Sequence, residues 1–323
     1  MTSNRHVRTT ATSMNTPAGI GAALGANLLW GLGNVIIAKV PLGGLGIAFH
    51  RLWMGALLYT VVLYLRGGRL RWDSFRYGSL GAVAFAADIC FFFLAVKHTT
   101  LADATTISAL QPVVILLFAG ALFGERITRR HVACTVVAVI GIAVVVRGSV
   151  ATGNVTVFGE VMATLALFAW AGYFIASKRA REHLDTLEYM TVVMIVGCLV
   201  VAPFAFATGQ ATGGGYDGIT REALAWVALV VLVPGSGHLL VNWAHQHTTI
   251  TLSSLLTLLM PVLSTAGAAI WLGQDVNRIQ VVGIGVVLGS LAIVIIGDAR
   301  ARSPEHSSVE TPLGLVPPAD PEP

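Results

Sequence analysis

The chain has 323 residues, of which 55% are hydrophobic and only 11% charged, with a formal net charge of +4. A soluble domain has about twice that charged share, so the expected solvent is the bilayer and a soluble enzyme fold is excluded. The basic residues sit in short loops between apolar runs and form no tract, so no nucleic-acid partner is expected.

Residues 1–17 are polar, with Arg5 and Arg8, and read as an N-terminal tail. The apolar run after them is too long for a signal-peptide core and has no convincing cleavage site, so it reads as a retained first span. A helix crosses the hydrocarbon core with about 20 apolar residues. That ruler predicts five spans near 18–40, 46–65, 77–97, 103–123 and 130–148. Five more follow near 157–178, 187–207, 222–244, 250–272 and 279–297. Residues 298–323 are rich in Pro, Glu and Ser without periodicity and read as a disordered tail. Cys90, Cys134 and Cys198 lie inside apolar segments and show neither disulfide nor metal-ligand spacing.

The two sets of five spans are copies of one unit. Ala95-Val96-Lys97-His98-Thr99-Thr100 returns as Ala244-His245-Gln246-His247-Thr248-Thr249. Pro112 returns as Pro261 and Gly124-Glu125 as Gly273-Gln274, all at one ungapped offset of 149 residues. Repeat units of 18–148 and 157–297 follow. With ten spans and both termini on one side, that side receives fourteen of the twenty Lys and Arg, including Arg66, Arg69, Arg71 and Arg76. The bias puts both termini in the cytoplasm of a cell-membrane protein. Five spans per unit is odd, so the second copy enters the membrane upside down. The expected fold is an all-α polytopic membrane protein, ten transmembrane helices in two inverted five-helix repeats. Gly21-x3-Gly25, Gly120-x3-Gly124 and Gly285-x3-Gly289 have the spacing that lets helices approach in lipid.

Two five-helix units, each with Pro in its fourth helix and a Gly-Glu-like turn before its fifth, form a recognisable pattern. Gln111-Pro112-Val113 through Gly124-Glu125-Arg126-Ile127-Thr128 resembles the EamA unit of the drug/metabolite transporter superfamily. The resemblance covers residues 18–297 and departs from the pattern at Gln274, which stands for the acid in the second copy. It implies a secondary carrier, often an exporter of amino acids or other small metabolites.

Asp88 lies near the middle of the third span, where a charge costs about 2.5–3.5 kcal/mol on insertion scales and must face a wet cavity, pair or be neutralised. The plain alternative is a neutral acid bonded to a neighbouring helix. The repeat maps Asp88 onto Gly237, beside His238 and after Val233-Pro234-Gly235-Ser236. Pro removes a helix hydrogen bond and Gly loosens the backbone, so Pro234, Gly235 and Gly237 predict an interrupted helix, a pointer to a carrier site. A packed Pro kink is the alternative. Asn242 stands one turn beyond His238 and keeps that face polar. Trp30 and Trp170 centre the first spans of the two halves, with Asn34 and Tyr173 about one turn on, and are candidate cavity walls or packing aromatics. Ser108 and Thr257 are short hydroxyls at repeat-related positions, with Gln111 beside them, and serve either a solute or helix packing. Lys39, Arg51, Lys97, His98 and Asp103 cluster at predicted outer span ends and read as interfacial anchors or loop residues, with an external vestibule as the alternative.

His98-Thr99-Thr100-Leu101-Ala102-Asp103 formally fits a His-x4-Asp acyltransfer pair, but the His-Thr-Thr string recurs at His247 without the acid, so the repeat explains it better. No nucleotide loop is present. The sequence therefore predicts no enzyme and no cofactor or metal. It predicts a carrier of a small polar organic metabolite such as an amino acid, working by alternating access between the repeats. The predicted site is walled by the first, third, fourth, sixth, eighth and ninth spans. Protons are the candidate coupling ion, and a homodimer stays open. Drug-type efflux of larger amphipathic or aromatic compounds is the alternative, ahead of a channel or a scaffold.

Overall fold

The computed structural model describes residues 15–99, 101–148, 156–214, 218–272 and 277–300, and no strand occurs among them. The tails up to residue 14 and beyond residue 300, and the Gly273-Gln274 turn, lie outside the described residues. The first half holds α1 (Pro17–Lys39), α2 (Gly44–Leu65), α3 (Trp72–His98), α4 (Leu101–Ser108), α5 (Gln111–Phe123) and α6 (Arg129–Gly148). The second holds α7 (Val157–Ala180), α8 (Thr186–Ala207), α9 (Arg221–Ala244), α10 (Ile250–Leu256), α11 (Leu259–Leu272) and α12 (Arg278–Arg300). Among the described residues eight stretches are long and apolar enough to cross a membrane: α1, α2, α3, α7, α8, α9, α12 and the run Ile250–Gly267. The predicted fourth span is split and leaves only the shorter apolar helix Gln111–Phe123, and the predicted fifth opens on Arg129, Arg130 and His131.

Two helices expected to be continuous are broken, and one expected to be interrupted is not. Ala109 and Leu110 separate α4 from α5, and Thr257 and Leu258 separate α10 from α11. Pro112 and Pro261 account for both breaks: each lacks an N–H, and its ring displaces the carbonyl four residues earlier, at Ser108 and Thr257. Tighter local bonds replace the lost ones, Leu110 N–H to Ile107 O at 3.1 Å and Leu258 N–H to Leu255 O at 3.1 Å. In contrast, α9 runs through Pro234 and Gly237 as one helix, correcting the predicted interruption. Neighbouring helices support it there: Trp30 Nε1 donates to Pro234 O and Tyr59 OH to Gly235 O, each at 3.2 Å.

Packing follows the duplication. α1 packs on α9 and α3 on α7, while α2, α5 and α6 pack on α8, α10 and α12. Exchanging the halves carries α1–α9 into α3–α7 and returns α2–α8 and α6–α12 to themselves, while α5–α10 becomes the α4–α11 contact, which also occurs. Thr16 caps α1 and Thr156 caps α7, each accepting from a glycine N–H at 3.1 Å. The start of α1 meets the end of α9, where Thr16 N–H donates to His247 O at 2.9 Å. The start of α7 meets the end of α3, where Thr156 Oγ1 donates to His98 O at 2.6 Å. A Cβ on Gly19 would lie 2.7 Å from His247, and one on Gly159 2.7 Å from Thr99. The repeated His-Thr string is thus a packing junction made twice. Repeat-related helices run antiparallel: Gln210, after α8, accepts from Leu45 N–H at the start of α2 (3.0 Å), and His131 in α6 meets Asp298 near the end of α12 (3.1 Å).

The interior is aromatic and aliphatic, with Phe85, Phe93, Tyr173 and Phe174 fully buried where the halves meet. The outside carries Leu57, Leu80, Leu117, Leu199 and Ile279 in the open, the surface a bilayer covers. Of the predicted glycine pairs only Gly25 faces another helix closely, where a Cβ would lie 3.3 Å from Leu240 of α9; a Cβ on Gly21, Gly285 or Gly289 would meet nothing within 4 Å.

Candidate functional site

A cavity lies where the two halves meet, with about 440 Å³ of empty space including its mouth. α1 contributes Trp30, Asn34 and Ile37; α2 contributes Arg51; α3 contributes Asp88, Ile89, Phe92 and Phe93. From the second half come Trp170 of α7, Pro234 and His238 of α9, and Met260 of α11. The lining therefore includes the predicted first, third, sixth, eighth and ninth spans. It departs from the prediction in one wall, where the second span stands in place of the fourth.

Aromatic rings set the shape of the floor. Trp30 and Trp170 are in edge-to-face contact at 5.7 Å, so they form one joined surface instead of two facing walls. His238 sits among Trp30 (4.9 Å), Phe85 (4.8 Å) and Tyr173 (5.8 Å). Trp30 is held by its bond to Pro234 O, and Gly237 lets α9 approach it: a Cβ there would lie 2.8 Å from Trp30 Nε1. Asn34 reaches Ser264 Oγ at 3.3 Å. Asp88 is 8% exposed and His238 6%, both facing this space from opposite halves.

Tyr173 and Asn242 stand behind the lining. Asn242 Nδ2 donates to Tyr173 OH at 2.5 Å and to His238 O at 2.7 Å, while its Oδ1 accepts from Ser177. The network continues away from the cavity. Ser177 Oγ meets His245 Nδ1 at 2.8 Å, and Arg181 Nε donates to Asn242 O at 3.1 Å. Lys178 Nζ donates to His245 O at 2.5 Å. Glu125 adds a bond between halves, accepting from Ile250 N–H at 2.7 Å and Thr251 N–H at 3.0 Å. This end of the bundle, where α7 and α9 finish and α1 begins, is sealed by buried polar contacts. The cavity extends the other way, toward Ile37, Phe92 and Phe93 in the last turns of α1 and α3.

Ser108, Gln111 and Thr257 lie apart from the cavity, at the two helix breaks. Ser108 bonds its own helix at Ala104 O (2.9 Å), and Thr257 Oγ1 donates to Gln111 Oε1 at 3.1 Å, joining the breaks across the repeat interface. Gly235 serves through its carbonyl, which accepts from Tyr59.

Arg51 corrects the sequence reading. Taken there as an anchor at an outer span end, it is 3% exposed, two turns into α2, and lines the cavity. Its guanidinium lies 5.4 Å from the Phe85 ring centre and 5.6 Å from that of Phe93. Like Asp88, Arg51 is a charge within an apolar run, because α2 begins at Gly44 and carries it well inside the helix.

Comparison with known proteins follows this architecture. A probable amino-acid metabolite efflux pump of Salmonella typhimurium is 25% identical over 219 residues, spanning 64% of this chain and 72% of that protein. A pseudopaline exporter of Pseudomonas aeruginosa is 26% identical over 192 residues, spanning 59% and 67%. A crystal structure of a protein 21% identical in sequence superposes with a TM-score of 0.71 over 85% of this chain and 97% of the other, a likeness of fold. The model of the EamA-like transporter family matches residues 17–147 and again 157–296. Spanned twice over by that unit, and with helices apolar enough to cross a membrane several times, the chain belongs to the EamA-like transporter family and is a multi-pass membrane transporter, not an enzyme.

Proposed function

We propose that this protein exports a small polar organic metabolite, most simply an amino acid or a close relative, by alternating access of the central cavity. The carrying observation is that one cavity receives Arg51, Asp88 and His238 from different helices while aromatic rings form its floor. Buried ionisable groups inside a membrane bundle mark solute and ion pathways. Efflux relatives, one named for amino-acid metabolites and one for pseudopaline, support outward movement of such a solute. Asp88 is the group through which a proton gradient drives the cycle. The repeats, 18–148 and 157–297, act as two inverted five-span units of a ten-span carrier in the cell membrane, with α4–α5 and α10–α11 each crossing as a broken helix. The sealed end faces the cytoplasm, with both termini, and the cavity then faces outward.

The aromatic lining favours one second reading, efflux of larger amphipathic or aromatic compounds. Counterflow in proteoliposomes with labelled amino acids, sugars, nucleosides and cationic dyes decides between them. Saturable exchange of amino acids supports the first reading, and exchange of the dyes alone replaces it with the second. Flux that neither saturates nor shows counterflow would indicate a channel.

The topology has its own test. Arg69, in the turn between α2 and α3, and Thr212, between α8 and α9, are both exposed. In intact cells a membrane-impermeant thiol reagent is expected to label Thr212→Cys and spare Arg69→Cys. Equal labelling of both would remove the ten-span arrangement.

A further inference from the structure

The cavity is lined by one guanidinium and one carboxyl group that form no ion pair with each other. Among the described residues the ion pairs within 4.0 Å both involve Asp298, far from this space, so Arg51 and Asp88 share the cavity without closing on one another. Arg51 is nine-tenths buried and more, yet its Nε and Nη2 are enclosed with no hydrogen-bond partner. Those two nitrogens carry parallel N–H groups on one edge of the guanidinium, the edge that grips a carboxylate through two bonds at once. Trp170 Nε1, another donor without a partner, lines the same space. Phe85 and Phe93 lie beside the guanidinium and offer their rings but no acceptor oxygen. Leaving such donors buried and unpaired is costly, so the arrangement is complete only when an acceptor of two or more bonds enters.

We propose that Arg51 is the carboxylate anchor of this cavity and that, with Asp88 taking the ammonium group, it selects a zwitterion. This rests on the reading of the cavity as the export site and narrows it. A zwitterion brings an acceptor to the unpartnered Arg51 edge and a cation to the Asp88 carboxyl and adds no net charge, whereas an amine or an acid alone serves only one of the two groups. Binding across two charges also fixes orientation: the carboxylate lies toward α2 and the ammonium toward α3, and the apolar remainder meets Trp30, Trp170 and Met260. The resulting selectivity is for both charged groups together, with loose demands on the side chain.

The test uses the full chain in proteoliposomes and a set of three competitors that share one side chain: the amino acid, its decarboxylated amine and its deaminated acid. Against counterflow of the labelled amino acid, wild-type protein is expected to bind the amine and the acid at least about tenfold more weakly, the scale of one charge-assisted hydrogen bond lost. Arg51→Gln is expected to erase the preference of amino acid over amine, and Arg51→Lys to restore part of it. These wild-type ratios need no variant. An amine that competes as well as the amino acid overturns the proposal, and so does an Arg51→Gln protein that keeps the full preference. If wild-type protein exchanges no amino acid at all but does exchange another solute class, it is the function reading that fails first.

Discussion

Gly237→Leu stops transport while the protein still reaches the membrane. A Cβ at this position would stand 2.8 Å from Trp30 Nε1, 2.9 Å from Trp30 Cδ1 and 3.0 Å from the Ala26 carbonyl. No flexible side-chain end can yield, because the ring is locked by its bond to Pro234 O and by Trp170 at its edge. α9 must therefore move off α1, or Trp30 must leave the cavity floor. Overpacking of this kind costs about 1–3 kcal/mol. That corresponds to about 5- to 150-fold in any equilibrium that needs the native contact. In the proposed alternating access this contact is remade in each cycle, so the rate of solute exchange per membrane-inserted protein is the quantity to measure. Gly21→Leu is the matched control: it adds the same side chain to a membrane-spanning helix at a place where a Cβ meets nothing within 4 Å. It is expected to exchange solute at the wild-type rate. Wild-type exchange in Gly237→Leu would move the site away from the α1–α9 contact.

The same glycine illustrates what the sequence does and does not disclose. Membrane helices are legible because each must be apolar for its whole length, so α1, α2, α3, α7, α8, α9 and α12 stand out by composition alone. The duplication is legible because the same junction is built twice, once at Gly159 against Thr99 and once at Gly19 against His247. Helix breaks are less so. Pro112, Pro234 and Pro261 have the same local chemistry, yet two accompany breaks and one lies in a continuous helix. Donors from Trp30 and Tyr59, distant in sequence, are part of the difference at Pro234. Close helix contacts are equally non-local, since regular glycine spacing picked out Gly285 and Gly289, which face open space. Asp88, His238, Trp30, Asn34 and Trp170, which stand out by polarity and position, line one cavity. Arg51 is not legible as a cavity residue because it lies near the start of a span, where a basic residue looks like an anchor. Asn242 and Tyr173 were found for the right polarity, but they hold the wall from behind.

Asp88→Asn is expected to abolish uphill export and to weaken counterflow of an amino-acid solute by about tenfold or more, the loss of one charge-assisted contact. The substitution keeps the side chain's shape and removes both its charge and its proton. Asp88 shares its cavity with Arg51 from α2 and His238 from α9, the other titratable groups of the lining. In the proposed cycle its carboxylate faces the ammonium group of the bound solute. In that proposed cycle a proton, the smallest cation, takes the place on the empty return, and the exchange would let a proton gradient pull solute outward. One residue thus serves both steps, and a single variant loses both. Export of labelled solute against its gradient, driven by an imposed pH difference, reads the first loss. Solute exchange with no pH difference reads the second. If uphill export vanishes while counterflow stays at wild-type strength, Asp88 carries the proton alone and the ammonium group binds elsewhere. If counterflow weakens while uphill export persists in proportion, the coupling proton travels through another group, for which His238 on this cavity is the candidate. If both assays read as wild type, Asp88 is a packing residue and the central cavity loses its claim to be the transport site.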